Sequence, residues 1–255
     1  MSDARSRPAA GLAVVTGASS GIGAATARAL AGAGFTVALG ARREERIEKL
    51  AGEIGGHAKM LDVTDRGSVE EFASWVESLG GAAVLVNNAG GARGLEQVAE
   101  LDEEHWRWMF ETNVLGVGLV TKALLPQLRA SGRGHIVVMG SAAGVEAYPG
   151  GAGYNAAKFG AHAITHNLRL ELLGEDVRVT EVLPGAVRTE EFGLVRFEGD
   201  EEKAEAVYRG ITPLTAEDIA ECVRWAVSLP PHVNIDRIDV KPIRQGGAAL
   251  FARDA

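Results

Sequence analysis

The sequence predicts an α/β fold: one doubly wound domain in which a parallel sheet of about seven strands carries helices on both faces. Three observations predict it. Short apolar runs rich in Val, Leu and Ile alternate with longer segments of helical periodicity, the pattern of doubly buried strands joined by crossover helices. The first apolar run leads at once into a turn with glycines at 17, 21 and 23, then into an alanine-rich helical segment. No linker, internal repeat or low-complexity block divides the 255 residues.

In chain order, residues 1–10 read as a flexible N-terminal tail, and residues 11–255 as the domain. Residues 12–15 form the first buried strand, and a helix runs from about 21 to 33. Residues 35–41 form a second strand with Arg42 and Arg43 at its carboxyl end, followed by a charged helix over 44–54. A short third strand covers 57–61 and a helix 68–79. Residues 82–87 form a fourth strand that ends in Asn87-Asn88-Ala89-Gly90-Gly91. A long helical stretch with one early loop spans about 95–130 and stops at Gly132-Arg133-Gly134. The fifth strand is 135–139, the next helix 153–173, and the sixth strand 177–183, stopped by Pro184-Gly185. Residues 192–210 are polar and irregular, the core of a helical flap over about 190–212. Thr215-Ala216-Glu217-Asp218 carries N-cap chemistry and opens a helix to 229; residues 235–240 form the last strand. This is the layout of a Rossmann domain, where ligands bind beyond the carboxyl ends of the strands at the reversal of strand order.

Composition narrows the partners. Twenty-six Lys plus Arg against 34 Asp plus Glu give a net charge of −8, a poor match for nucleic acid or an anionic membrane. Cys222 is the only cysteine, so neither a disulfide framework nor a thiolate zinc site is expected. The first residues lack an apolar signal core and no run reaches a membrane span, so a cytoplasmic location is expected.

The glycine turn is the first chemical signal. Residues without a Cβ let the backbone approach a bulky anion, and the following helix offers unpaired N–H groups and its positive dipole end to a phosphate. Its spacing is G-x-x-x-G-x-G rather than the common G-x-G-x-x-G. Strand two ends in arginines with no carboxylate, which suits a ribose 2′-phosphate better than a free 2′-hydroxyl; Arg42 is the expected main contact, with Arg43 or Ser19 in support. Tyr154 and Lys158 lie four apart on one helix face. A phenol of ordinary pKa about 10 is a poor acid or base at neutral pH, and a cation beside it stabilises the phenolate. Ser141, after strand five, is placed to hold a substrate oxygen. Asn113 is an awkward helix residue that could bond water or backbone at a local kink. Singly, each has a plainer reading: a surface pair, a turn serine, a solvated asparagine. His162 and His166 have metal-ligand spacing but no third ligand in view, so they read as a helix-packing surface and no metal is expected. The acidic segment from 198 to 205 reads as a solvated face of the flap.

Taken together the motifs resemble the short single-domain branch of the short-chain dehydrogenase/reductase family. Thr16-Gly17-Ala18-Ser19-Ser20-Gly21-Ile22-Gly23, Asn87-Asn88-Ala89-Gly90, Asn113, Ser141, Tyr154-x-x-x-Lys158 and Pro184-Gly185 occur in its order, over roughly residues 10 to 245. The resemblance implies a nicotinamide dinucleotide in the crevice, with NADP(H) the form that Arg42 and Arg43 favour. It implies Tyr154 as general acid/base, Lys158 on the ribose hydroxyls, Ser141 on the carbonyl oxygen and Asn113 holding a relay water. Asp62 and Val63 would hold adenine, Val187 and Thr189 the nicotinamide amide, and Asn88, Ala89, Gly90, Pro184 and Gly185 would line the cofactor.

Two segments, Phe192 to Asp200 and Leu229 to Ile235, are similar to the NADP-dependent serine/3-hydroxy acid dehydrogenases, which implies a small 3-hydroxy acid or its semialdehyde as substrate. Arg188 and Glu190 depart from that pattern, where a glycine and a threonine are expected. Arg93, Arg188 and Arg196 are the candidates to hold a substrate carboxylate; Arg196 could instead pair with Glu198 or Asp200 to close the flap. The alternatives are a reductase of a ketone, sugar or secondary metabolite, or a non-catalytic dinucleotide-sensing protein. Apolar surplus on the helices around 112–125 and 153–161, with the family likeness, implies a homotetramer, a dimer being the alternative.

Overall fold

Among the described residues of the computed structural model, 11–254, the chain forms a seven-stranded parallel sheet in the order β3-β2-β1-β4-β5-β6-β7. The strands are β1 (Leu12–Thr16), β2 (Thr36–Ala41), β3 (His57–Met60), β4 (Ala82–Asn87), β5 (Gly134–Met139), β6 (Val177–Pro184) and β7 (Arg237–Val240). The expected tail, residues 1–10, lies outside the described residues. The sheet grows outward from β1 in one direction and from β4 in the other. The reversal between them opens a crevice at the carboxyl ends of β1 and β4.

Nine α-helices among the described residues cover the sheet: α1 (Gly21–Gly32), α2 (Glu44–Ile54), α3 (Arg66–Ser78), α4 (Glu103–Phe110), α5 (Gly116–Ala130), α6 (Ala152–Glu171), α7 (Phe192–Arg196), α8 (Glu201–Ala206) and α9 (Ala216–Val227). The two faces of each strand feed different cores. Ala13, Val15, Val37, Leu39 and Val137 pack against Leu30 of α1, Ile47 and Leu50 of α2, and Ile219 and Val223 of α9. Leu12, Val14, Leu85, Ile136 and Val138 pack against Phe72 and Val76 of α3, Val120 and Leu124 of α5, and Ile164 and Leu168 of α6. Successive strand residues therefore serve opposite layers, which is why the central strands β1, β2, β4 and β5 are largely apolar rather than alternating, while the edge strands β3 and β7 carry His57, Lys59, Arg237 and Asp239.

The long helical stretch is not one helix. A 3₁₀ turn (Val98–Glu100) and α4 precede a π-turn at Glu111–Leu115, after which α5 continues. The π-turn holds Asn113, the residue singled out as awkward in a helix. The flap consists of two short helices, α7 and α8, with Glu198 at φ 52° between them. Helix α9 opens on a complete capping box, Thr215 and Asp218 bonding each other's backbone N–H. No helix among the described residues is long and apolar enough to cross a membrane.

Candidate active site

At the head of the crevice, Thr16 fastens β1 to β4. Its hydroxyl accepts hydrogen bonds from the N–H groups of Asn88 and Ala89, both at 3.0 Å, and the Asn88 amide donates back to the Thr16 carbonyl at 3.0 Å. Gly17 follows at φ +65°, where a Cβ would stand 2.8 Å from the Ala89 Cα. A Cβ on Gly23 would meet the Gly17 carbonyl at 2.4 Å, so this third glycine packs helix against turn and does not itself line the cleft. Ser20 caps α1 without a side-chain bond back to the helix, which leaves the first-turn N–H groups beside the cleft.

Arg42 lines the same end, and no carboxylate pairs with it among the described residues. Arg43 is held instead: it donates to Ser19 Oγ at 2.8 Å, Ser20 Oγ at 2.9 Å and Glu191 at 2.6 Å. Glu191 also accepts from Arg46 and, at 2.7 Å, from Ser20. Hydrogen bonds from Arg43 above all, with those of Ser20 and Arg46, hold the Glu191 carboxyl down at about 2. Helix-terminal amides, the Ser19 hydroxyl and one uncommitted guanidinium form a donor set that fits the phosphates of a phosphorylated dinucleotide.

Deeper in the cleft, Ser141 ends β5 and caps a 3₁₀ turn (Ala142–Gly144), its Oγ accepting from the Ala143 N–H at 3.1 Å. Tyr154, in the first turn of α6, hydrogen-bonds Ser141; burial raises its phenol to about 12, and the Ser141 bond and the Arg196 charge act against that rise. Lys158 lies 5.9 Å from the centre of the Tyr154 ring and donates to the Met139 carbonyl at 2.8 Å. Burial depresses its amine to about 8, with the charge of Glu181 opposing. Asn155 locks the serine loop onto α6 through bonds to the Ala143 and Glu146 carbonyls at 2.8 and 3.2 Å. Asn113 is buried and does not line the cleft. Its amide donates to the carbonyls of Gly91 (3.0 Å) and Met109 (2.8 Å), and its oxygen accepts from the Gly91 N–H. The widened π-turn frees the Met109 carbonyl, and Asn113 uses it to pin the Asn-Ala-Gly loop.

The far wall comes from the flap. Arg196 donates to the Gly94 carbonyl and the Tyr148 hydroxyl, both at 3.1 Å, and its guanidinium stands 5.6 Å from the Tyr154 ring centre. It pairs with neither Glu198 nor Asp200: Glu198 approaches His105 at 3.4 Å, and Asp200 caps α8 and pairs with Lys203. Arg188 needs correction as a substrate residue. It lies outside the cleft lining, ion-paired to Glu205 at 2.6 Å and stacked on Tyr208. Arg93 stacks on Trp108, also outside the lining. Every other predicted site residue (Gly17, Ser19, Gly21, Ile22, Asp62, Val63, Gly90, Pro184, Gly185, Val187 and Thr189 among them) borders one cleft of about 930 Å3.

Comparison with known proteins agrees with this geometry. Residues 11–196 match the short chain dehydrogenase family. The chain belongs to that family of oxidoreductases. It is 43% identical over 247 residues to sulfoacetaldehyde reductase 2 of Chromohalobacter salexigens, covering 94% of this chain and 97% of that one. It is 42% identical over 240 residues to the NADP-dependent 3-hydroxy acid dehydrogenase YdfG of Salmonella typhimurium, covering 93% and 97%. Among solved structures it superposes on the closed form of serine dehydrogenase complexed with NADP+ at a TM-score of 0.89, with 38% identity over 96% of this chain and all of that one.

Several wall residues of this short-chain dehydrogenase escaped the sequence reading. Glu191, Tyr148 and the carboxyl-terminal segment are three. Gln245 accepts from the Ala186 N–H at 2.8 Å, and Ala248, Phe251 and Arg253 reach the cleft beyond it. Their partners lie far away in the chain, and no local periodicity announces them. Glu181, whose charge acts on Lys158, sits between Val179 and Val182 in a strand that ends in Leu183-Pro184, an unusual place for an acid.

Proposed function

We propose that this short-chain dehydrogenase interconverts a small 3-hydroxy acid, or a similarly anionic primary or secondary alcohol, and its carbonyl with NADP(H). The observation that carries the proposal is the Arg196 guanidinium, which faces the Tyr154 ring at 5.6 Å and has no carboxylate partner among the described residues. A net acidic chain that keeps a guanidinium bonded only to neutral oxygens against its acid/base residue is built to hold a small anion there. The relatives named for 3-hydroxy acids, sulfoacetaldehyde and serine share a charged group close to the reacting carbon, in keeping with this reading.

Arg42 and the α1 amides would hold the phosphates, Lys158 the ribose hydroxyls, Asp62 and Val63 the adenine, and Val187 and Thr189 the nicotinamide amide. When bound, the dinucleotide supplies or accepts the hydride. In the reducing direction the Tyr154 Oη gives its proton to the substrate oxygen, while Ser141 Oγ–H holds that oxygen in place. At neutral pH a buried phenol at about 12 is protonated, and an alkoxide is a strong enough base to take its proton. In the oxidising direction the phenolate must form, and the Lys158 and Arg196 cations flanking the ring favour it. Asn113 supports a relay by holding the loop beside Lys158.

The assembly we propose is a homotetramer, with a dimer as the alternative. Phe110, Leu115, Phe159 and Leu170 on α4, the π-turn and α6 are 42–59% exposed in the single chain, an apolar surplus suited to a symmetric helical interface.

A panel of hydroxy acids, sugars, steroids and ketones, followed at 340 nm with NADP(H), tests the reaction. Arg196→Ala tests the substrate class. It should raise KM for a 3-hydroxy acid by about tenfold or more, the loss of a charge-assisted hydrogen bond. Activity on an uncharged ketone of similar size should change little. An equal loss on both substrates would assign Arg196 to flap closure and overturn the anion reading.

A further inference from the structure

The face of β6 beneath the catalytic helix carries an acid that the reaction above does not use. Glu181 is 2% exposed, in the middle of a strand that is buried at every position but Arg178. One carboxylate oxygen, Oε2, is bonded at 2.7 Å to Nδ1 of His162, one turn beyond Lys158 on α6. The other, Oε1, takes no hydrogen bond from any group among the described residues. That free oxygen is directed at the end of β5, where a Cβ on Gly140 would stand 2.8 Å from it. The Lys158 ammonium reaches the same short stretch, donating to the Met139 carbonyl at 2.8 Å. Of the other cations on α6 and β7, Arg169 pairs with Asp236 at 3.0 Å and Arg237 with Asp239 at 2.9 Å. β5 brings only Val138 into register beside Glu181. Lys158 and His162 are what remain to answer a buried carboxylate, which is costly unless it is compensated.

We propose that Glu181, braced by His162, is the buried counter-charge of Lys158 and so a positioning residue for the tyrosine–lysine pair. The role rests on the reading of Lys158 as the partner of Tyr154. Burial drives the Lys158 amine toward its neutral form, and the Glu181 charge acts in the opposite direction. A neutral amine could neither support a phenolate nor donate all its bonds to ribose and backbone. His162 is part-exposed, so it ties the carboxylate to the solvent edge while leaving Oε1 aimed inward.

The chain has six lysines, so the titration of Lys158 can be followed by NMR of 13Cε-lysine-labelled full-length protein, its signal assigned by loss in Lys158→Arg. Glu181→Gln should lower the Lys158 midpoint by about one unit or more, a tenfold loss of proton affinity. Glu181→Asp should restore it. Glu181→Leu serves as a second charge-free variant, since a buried charge replaced by an apolar residue of similar size often folds as well or better. Glu175→Gln, at a surface pair with Arg129, should leave the midpoint in place. An unchanged midpoint in either folded charge-free variant would overturn the proposal. Because the titration needs no substrate, a protein inactive on every hydroxy acid would sink the functional reading and still leave this one decided.

Discussion

Glu191→Gln is the substitution that most directly tests whether the flap is fastened to the cofactor turn. The Glu191 carboxylate gathers Arg43, Arg46 and Ser20, contacts that span 145 to 171 residues of chain. Its carboxyl, ordinarily near 4.5, is held at about 2, and that difference alone converts to about 3 kcal/mol. Arg43 and Arg46 are 42% and 52% exposed, so solvent screening reduces the figure to about 1–2 kcal/mol. The sign follows from the lowered carboxyl. Its stabilisation is complete above the ordinary value and fades as pH falls through about 2. At pH 7 the glutamine variant should therefore melt about 2–8 °C below the parent, from about 2–4 °C per kcal/mol for a domain of this size. The gap should narrow in acid and in high salt. Lys203 and Arg209, in and just after α8, should be cut faster by trypsin in the variant. Equal melting at pH 7 together with equal cleavage would refute the latch.

The remaining predictions concern the reaction and the assembly. Tyr154→Phe removes the phenol bonded to Ser141 and should lower kcat by at least about 10²–10⁴-fold while NADP(H) still binds by fluorescence titration; near-normal turnover would remove the acid/base role. Arg42→Ala should erode the preference for NADPH over NADH by about tenfold, read from the ratio of kcat/KM values; an unchanged ratio would pass the 2′-phosphate to other groups. Light scattering at micromolar concentration should give four chains, or two; a monomer would leave the exposed faces of α4 and α6 without their proposed use.

The alternation of strands and helices, and the site at the carboxyl ends of the strands, are legible because both are written locally; the strand order itself is not. Most strands are apolar runs too short for a helix and bounded by turn residues, and Arg42, Asp62, Asn88, Ser141 and Gly185 follow strands within a few residues. Asn88, Ser141 and Pro184-Gly185 follow from the sequence, since a parallel strand ending at the crevice delivers its next residues there. Helix interruptions were less legible. The π-turn at Glu111–Leu115 leaves the apolar spacing of 109–124 nearly intact, so only the misfit of Asn113 betrayed it. Long-range polar contacts were not legible at all. Arg93, Arg188 and Arg196 are alike by residue type and by closeness to the crevice or its flap, and only the segment resemblance favours Arg196. What separates the last two is that Glu205 and Tyr208 draw Arg188 outward, while the Gly94 carbonyl and Tyr148 hold Arg196 inward. The acidic stretch read as a solvated face splits in the same way: Glu201 and Glu202 are exposed, while Glu205 anchors Arg188 and Glu198 reaches His105. A charge in a polar segment has no preferred face until its partner arrives from elsewhere in the chain. A charge at a buried strand position has no such freedom. Glu181 must be answered from the layer packed on it, and α6 supplies the His162 bond at 2.7 Å and the charge of Lys158.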